Sequence, residues 1–181
     1  MRKETFSPAA TREIKRIVKI EVQKIKFSAH KEGVYRDPYW KEKISEEALE
    51  RLISRDIDSC QEKNLYKFSK GASNKLLHLI KEKYPDKTVY SSGHFYYPPT
   101  GFMGWHTNFG YPEDHLYITY VDKGGESFFR YKDGNRIITN YDEEGITIRT
   151  FSLSGTRPYF WHCVGSNCDR FSFGYRLCDT I

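Results

Sequence analysis

The sequence predicts an α+β protein, with a helical N-terminal half (residues 1–87) packed on a β-sandwich or barrel (residues 88–181). Three observations carry this. Apolar residues recur with a helical period in the first half. Seven short β-rich runs follow one another from Thr88 onward. Turn residues separate those runs at regular spacing. A chain of 181 residues is expected to form one domain, 1–181, with a core that needs no metal or disulfide support.

From Ala9 to about Ile25, Ile14, Ile17, Val18, Val22 and Ile25 fall near a 3.6 period, with Ile20 widening the stripe. Arg12, Lys15, Arg16 and Lys19 share another face and predict a basic outer stripe. KEGVYRDPYWK, residues 31–41, reads as a loop broken by Gly33 and Pro38. Ser45 caps a second predicted helix, whose first turn holds Glu46 and Glu47, as the helix dipole favours. Ser69 or Ser73 starts a third, which ends before Pro85.

The β-rich runs are TVYSSGHFYY, HLYITYV, ESFFRY, RIITNY, ITIRTF, PYFWHCV and RFSFGYRL. Asp133-Gly134-Asn135 between two of them predicts a hairpin.

Aromatic residues make up 16% of the chain, which excludes a disordered polymer. No apolar run approaches the roughly 18 residues of a membrane span, and the N-terminus lacks the apolar stretch of a signal peptide. Four cysteines without a CxxC pair are expected to be reduced thiols, so a cytoplasmic protein is expected. Cys163 and Cys168 beside His162 give only a weak zinc signal. The net charge is +5: residues 1–87 carry 21 Lys+Arg against 14 Asp+Glu, and residues 88–181 carry 8 against 10. A basic half suits either a solvated helical face, which we favour, or a nucleic-acid partner.

Three features of the β half belong together. In Trp105-His106-Thr107-Asn108, strand alternation would project His106 and Asn108 to one face. His162, 56 residues on, supplies a second imidazole from a distant strand. Two histidines and one oxygen donor with open positions is the arrangement of mononuclear non-haem iron sites. In Arg170–Arg176 the alternation is strict: Phe171, Phe173 and Tyr175 face the helices, and Arg170, Ser172, Gly174 and Arg176 face the sandwich interior. A turn at Gly165–Asn167 is expected to fold Arg170 back beside His162 as a hairpin partner. A buried arginine wants a carboxylate.

With these residues in place, the sequence resembles the Fe(II)/2-oxoglutarate-dependent oxygenases of the prolyl-4-hydroxylase-like type, over about residues 88–178. Tyr97-Pro98, LYITYVDKGGESFF, the Glu144–Phe151 run, WHCV and Arg170-x-Ser172 carry the resemblance. It implies a double-stranded β-helix (jelly-roll) core with the N-terminal helices packed on one sheet. It implies a dioxygenase, of hydroxylase type, with Fe(2+) on His106, Asn108 and His162. It further implies 2-oxoglutarate bound at Arg170 and Ser172 and decarboxylated as O2 is activated. Tyr97 is either a hydrogen-bond partner of that cosubstrate or an aromatic core residue.

The departure is Asn108, where the family has Asp or Glu. Three readings follow: Asn108 ligates the metal, Asp114 or Glu113 completes the site, or the chain is a non-catalytic jelly-roll binding module. Arg170 and Arg176 also have the R-x5-R spacing of AlkB-like nucleic-acid demethylases, with Ser172 and Gly174 where that family carries Asn and Thr. The substrate, whether small molecule, peptide or protein, is not specified; a nucleic acid is not favoured. Trp105 and Trp161 are expected in the core. His94 and His115 do not fit the ligand spacing, and Arg130 and Arg149 are candidates for substrate contact.

Overall fold

A computed structural model describes residues 1–32 and 37–180. The helices are α1 (Pro8–Glu32), α2 (Trp40–Lys43), α3 (Glu46–Ser54), α4 (Lys70–Asn74) and α5 (Leu77–Lys83). The strands are β1 (Arg2–Lys3), β2 (Lys63–Asn64), β3 (Tyr66–Lys67), β4 (Lys87–Tyr97), β5 (Gly101–His106), β6 (Asp114–Val121), β7 (Ser127–Asp133), β8 (Arg136–Tyr141), β9 (Gly145–Ser152), β10 (His162–Ser166) and β11 (Arg170–Asp179). They form two antiparallel sheets, ordered β1-β9-β6-β11-β4-β3 and β2-β5-β10-β7-β8. Between β4 and β11 the chain passes from sheet to sheet at nearly every step. That path is a double-stranded β-helix, the jelly roll.

Each sheet carries helices on its outer face. α1, α4 and α5 cover the six-stranded sheet: Ile14, Val18 and Val22 of α1 and Leu76 and Ile80 meet Phe171, Phe173 and Tyr175. The alternation of β11 thus sorts its rings outward to the helices. Burying each large side chain of this layer contributes about 1.5–3 kcal/mol. α2 and α3 cover the other sheet, where Trp40, Ile44 and Leu49 pack on Phe102, Trp105, Trp161 and Cys163. Gly165 of β10 makes this seat possible. A Cβ there would lie 2.5 Å from Trp40 and 2.6 Å from Ile44.

Several boundaries differ from expectation. α1 runs one turn and more past Ile25, because Ala29 continues its buried stripe, while Ile20 is 41% exposed and lies outside it. Residues 33–36 of the expected loop lie outside the described residues, and its last residues open α2 around the buried Trp40. Ser45 caps α3, its Oγ accepting from the Ala48 amide. The third helix is two: Ser69 caps α4, and a break after Asn74 precedes α5. β10 takes only the second half of PYFWHCV. Among the described residues no helix is long and apolar enough to cross a membrane.

Candidate functional site

His106 ends β5 and His162 begins β10, and the two are direct cross-strand partners. Their ring centroids lie 4.0 Å apart. Each ring is set by its Nδ1, which donates to a backbone carbonyl two residues earlier: Gly104 at 2.8 Å for His106, Phe160 at 3.0 Å for His162. With Nδ1 protonated, each Nε2 carries a lone pair. Tethering of Nδ1 to a carbonyl is the kind of contact that orients metal-ligating histidines. Burial lowers the His106 pKa, and burial with the neighbouring His106 ring holds His162 well below the usual imidazole range. Both shifts favour the neutral ring, the form a metal ligand needs.

Asn108 reaches this pair by a different route from the one expected. β5 stops at His106, and Asn108 lies in a turn at φ +52°, a left-handed conformation that Asn tolerates. Its Nδ2 lies 3.3 Å from His162 Nε2, so the amide donates to that lone pair. The three residues are together, but turn geometry rather than strand alternation places the amide. Asp114 and Glu113 are engaged elsewhere, Asp114 with Ser152 at 2.5 Å and Glu113 with Arg176 at 3.6 Å. Among the described residues no three of His, Cys, Asp or Glu converge on one point. Cys163 turns its thiol away, towards the Ile44 carbonyl, so the zinc arrangement with His162 is not formed.

Arg170 lies across the barrel from His162. It is not a hairpin partner: β10 pairs with β5 and β7, and β11 with β4 and β6. The jelly-roll path sends consecutive strands to opposite sheets, so the turn crosses between them. Arg170 and His162 nevertheless line one cavity, together with His106, Ser172 and Tyr97. The Arg170 guanidinium sits 5.0 Å above the Tyr97 ring, and its Nε donates to Asp142 Oδ2 at 2.9 Å. Burial raises the Tyr97 pKa far above the ordinary phenol value, and its ring packs with Phe129, Phe151 and Val164.

Burial alone would raise the Asp142 pKa; the charges of Arg170 and Arg149 outweigh it and hold it low. Asp142 escaped the sequence reading because an aspartate between two strands looks like a turn residue. Nothing in its spacing announces that it is 1% exposed.

Other residues fall as follows. Trp105 and Trp161 are in the core. His94 packs outward on Phe68, its ring centroid 5.7 Å away. His115 faces inward between Tyr117 and Phe151, and its Nδ1 has no hydrogen-bond partner. Arg130 ties the outer face to α2, donating to the Ile44 carbonyl at 2.9 Å. Arg176 lies six residues, about 20 Å along the strand, from Arg170, against Tyr90 and Tyr111.

The donor types of this site suit a divalent metal: two adjacent imidazoles tethered through Nδ1, and an amide that offers Oδ1 once its Nδ2 leaves His162 Nε2. 2-Oxoglutarate does not fit the interior as packed. Phe95, Tyr117, Phe129 and Phe151 leave a cavity of about 30 Å³, room for about two waters, and Asp142 already holds one edge of Arg170. A concavity of about 740 Å³ lies outside, separated from the imidazoles by Phe160, whose ring is 5.4 Å from His162.

No known protein family and no curated protein matches this chain. Solved structures with a similar chain path include a 2OG-Fe(II) oxygenase family protein from Burkholderia pseudomallei, at 11% identity and TM-score 0.39, covering 58% of this chain and 53% of that one. The chain thus spans about half the length of that protein. A Pseudomonas putida prolyl-4-hydroxylase is similar at 13% identity and TM-score 0.39, covering 75% and 84%. A cupin superfamily protein from Desulfitobacterium hafniense is similar at 15% identity and TM-score 0.31, covering 51% and 79%. The jelly-roll assignment rests on the strand order of this chain itself.

Proposed function

We propose that this chain is an oxygenase-type jelly-roll protein that holds Fe(II) with His106, His162 and Asn108. The supporting observation is the cross-strand imidazole pair, with both Nδ1 atoms tied to carbonyls and the Nε2 of His162 held by the Asn108 amide that a cation would displace. When bound, the metal would supply O2 activation. The chain's own part is to keep two imidazoles neutral, to fix their tautomer through Gly104 and Phe160, and to pack Phe129, Phe151 and Phe160 around His162 so that water is excluded from that side. A hydroxylase using 2-oxoglutarate is the finer form of this reading; it takes Arg170, Ser172 and Tyr97 as cosubstrate contacts and requires the rings that fill the cavity to move.

A second reading has its own support. Asp142 on Arg170 and the filled interior favour a metal-binding jelly-roll module without cosubstrate.

Anaerobic titration with Fe(II), then with 2-oxoglutarate, separates the two. Fe(II) binding that is lost in folded His106→Ala and His162→Ala, followed by a visible charge-transfer band on adding 2-oxoglutarate, supports the dioxygenase. Binding without a band supports the module. Wild-type protein that takes up no metal overturns the metal reading altogether.

A further inference from the structure

The concavity outside Phe160 is built by three segments far apart in sequence: the end of α3 with the turn after it, the tip of the β7–β8 hairpin, and the connection from β9 to β10. Its volume of about 740 Å³ is that of a ligand site rather than a packing gap. Ile53 and Ile57 stand in it 44% and 41% exposed, and share its wall with Tyr159, Phe160 and Trp161. Open apolar surface gathered in one hollow marks an interaction site.

The charged side chains give that wall its sign. Asp56, Asp58 and Asp133 line it against Lys132 and Arg157, a net charge of −1 in a chain of net charge +5. Both cations are already engaged. Arg157 donates to Asp56 and lies against the Tyr159 ring, and Lys132 donates to the Gly134 carbonyl. Among the described residues neither the Asp58 nor the Asp133 carboxylate has an ion pair or a hydrogen bond, although Asp58 is half-buried. α3 ends at Ser54, next to Ile53 of the wall, and the negative end of its dipole favours a cation on the same side.

We propose that this concavity binds a peptide segment by one lysine or arginine side chain with apolar neighbours. The aliphatic stem and those neighbours cover Ile53, Ile57 and Tyr159, since long cationic side chains bury their stems and keep their heads among polar groups. The charged head pairs with Asp58 or Asp133. A free polyamine matches less well, because it brings several charges and little apolar surface to a wall of net charge −1. Phe160 joins this place to the interior: its ring lines the concavity and packs on His162, and its carbonyl holds His162 Nδ1. That the peptide is an oxygenase substrate rests on the proposed function. Its binding does not, and requires no metal.

The test uses metal-free full-length protein and three capped pentapeptides of sequence glycine-leucine-X-leucine-glycine, with lysine, norleucine or glutamate at X. Calorimetric titration should rank them in that order, the lysine peptide at least tenfold tighter than the glutamate peptide, and rising salt should narrow the gap. Asp58→Asn with Asp133→Asn breaks no bond of the fold. The pair should weaken the lysine peptide at least fivefold and leave the norleucine peptide unchanged. Ile57→Ser should weaken both peptides and leaves the carboxylates in place. Equal affinity for the lysine and glutamate peptides, no binding of the lysine peptide at millimolar concentration, or lysine-peptide affinity unchanged in the paired aspartate variant overturns the proposal. Spermidine that binds where no peptide does overturns the peptide assignment as well. Because Fe(II) is absent throughout, a lysine peptide that binds to protein unable to take up Fe(II) supports this site while the metal reading fails, so the two failures are distinct.

Discussion

His106 and His162 are register partners across β5 and β10, and the β-bulge that follows His162 falls immediately beyond them. Their rings stand 4.0 Å apart because both residues sit at the strand ends where pairing begins. The next residue that matters, Asn108, comes from the turn that follows.

Asn108 gives the most direct test of the metal reading. A neutral amide attracts a divalent cation less than a carboxylate does, since the ion's own charge dominates the local electrostatics. Asn108→Asp should tighten Fe(II) binding and Asn108→Ala should loosen it, both measured by anaerobic titration. Indistinguishable affinities for all three proteins would remove Asn108 from the coordination sphere.

Asp142 should be among the most costly interior residues to replace. Asp142→Ala strands two guanidiniums, and breaking a buried ion pair on one side costs about 3–5 kcal/mol. Arg176→Leu, at a partly exposed pair with Glu113, should cost under about 1 kcal/mol. Urea unfolding in low-anion buffer reads both. Equal losses would mean that the buried Asp142 network contributes no more than the partly exposed Arg176–Glu113 pair.

Acid should destabilise the fold through its buried histidines. Burial lowers the pKa of His94 and of His115, so the folded protein resists their protonation while the unfolded chain takes up protons near the ordinary imidazole value of about 6.5. The unfolded state then binds more protons below that pH. Stability is complete above about pH 6.5 and falls as the pH drops towards the folded-state values, by about 1.4 kcal/mol per pH unit for each histidine. His94→Phe keeps a ring against Phe68 and should flatten the acid limb by one such contribution. An unchanged slope would show that His94 does not titrate on unfolding.

Gly165→Ala should loosen the seat of α2. The added methyl meets Trp40, Ile44 and Phe128 at 2.5–2.8 Å, and overpacking of this kind costs about 1–3 kcal/mol. The change is checked by thermal unfolding, with near-ultraviolet circular dichroism reporting the Trp40 environment.

Much of this was legible in the sequence, for physical reasons that differ by residue. β11 was readable because its period of two sorts rings from polar groups without help from any neighbour. α3 was readable because Ser45 caps it locally. Asn108 was misplaced because alternation holds only while a strand continues, and this strand ends at His106. The hairpin between His162 and Arg170 was wrong because loop length says nothing about which sheet receives the next strand. Asp142 and Arg149 could not be joined from sequence, since only the packed barrel brings them to Arg170.

The pairing of β5 with β10 has a consequence for how the protein forms. His106 and His162 are 56 residues apart in sequence, and the strand that unites them must wait for β6 to β9 to be laid down between. Local elements such as the β7–β8 hairpin can assemble within microseconds, but closing so long a loop is slow. The expected order of events is local strand pairing first and the meeting of the two imidazoles afterwards. Metal uptake in a stopped-flow refolding experiment would report the last closure of the barrel, lagging behind far-ultraviolet recovery.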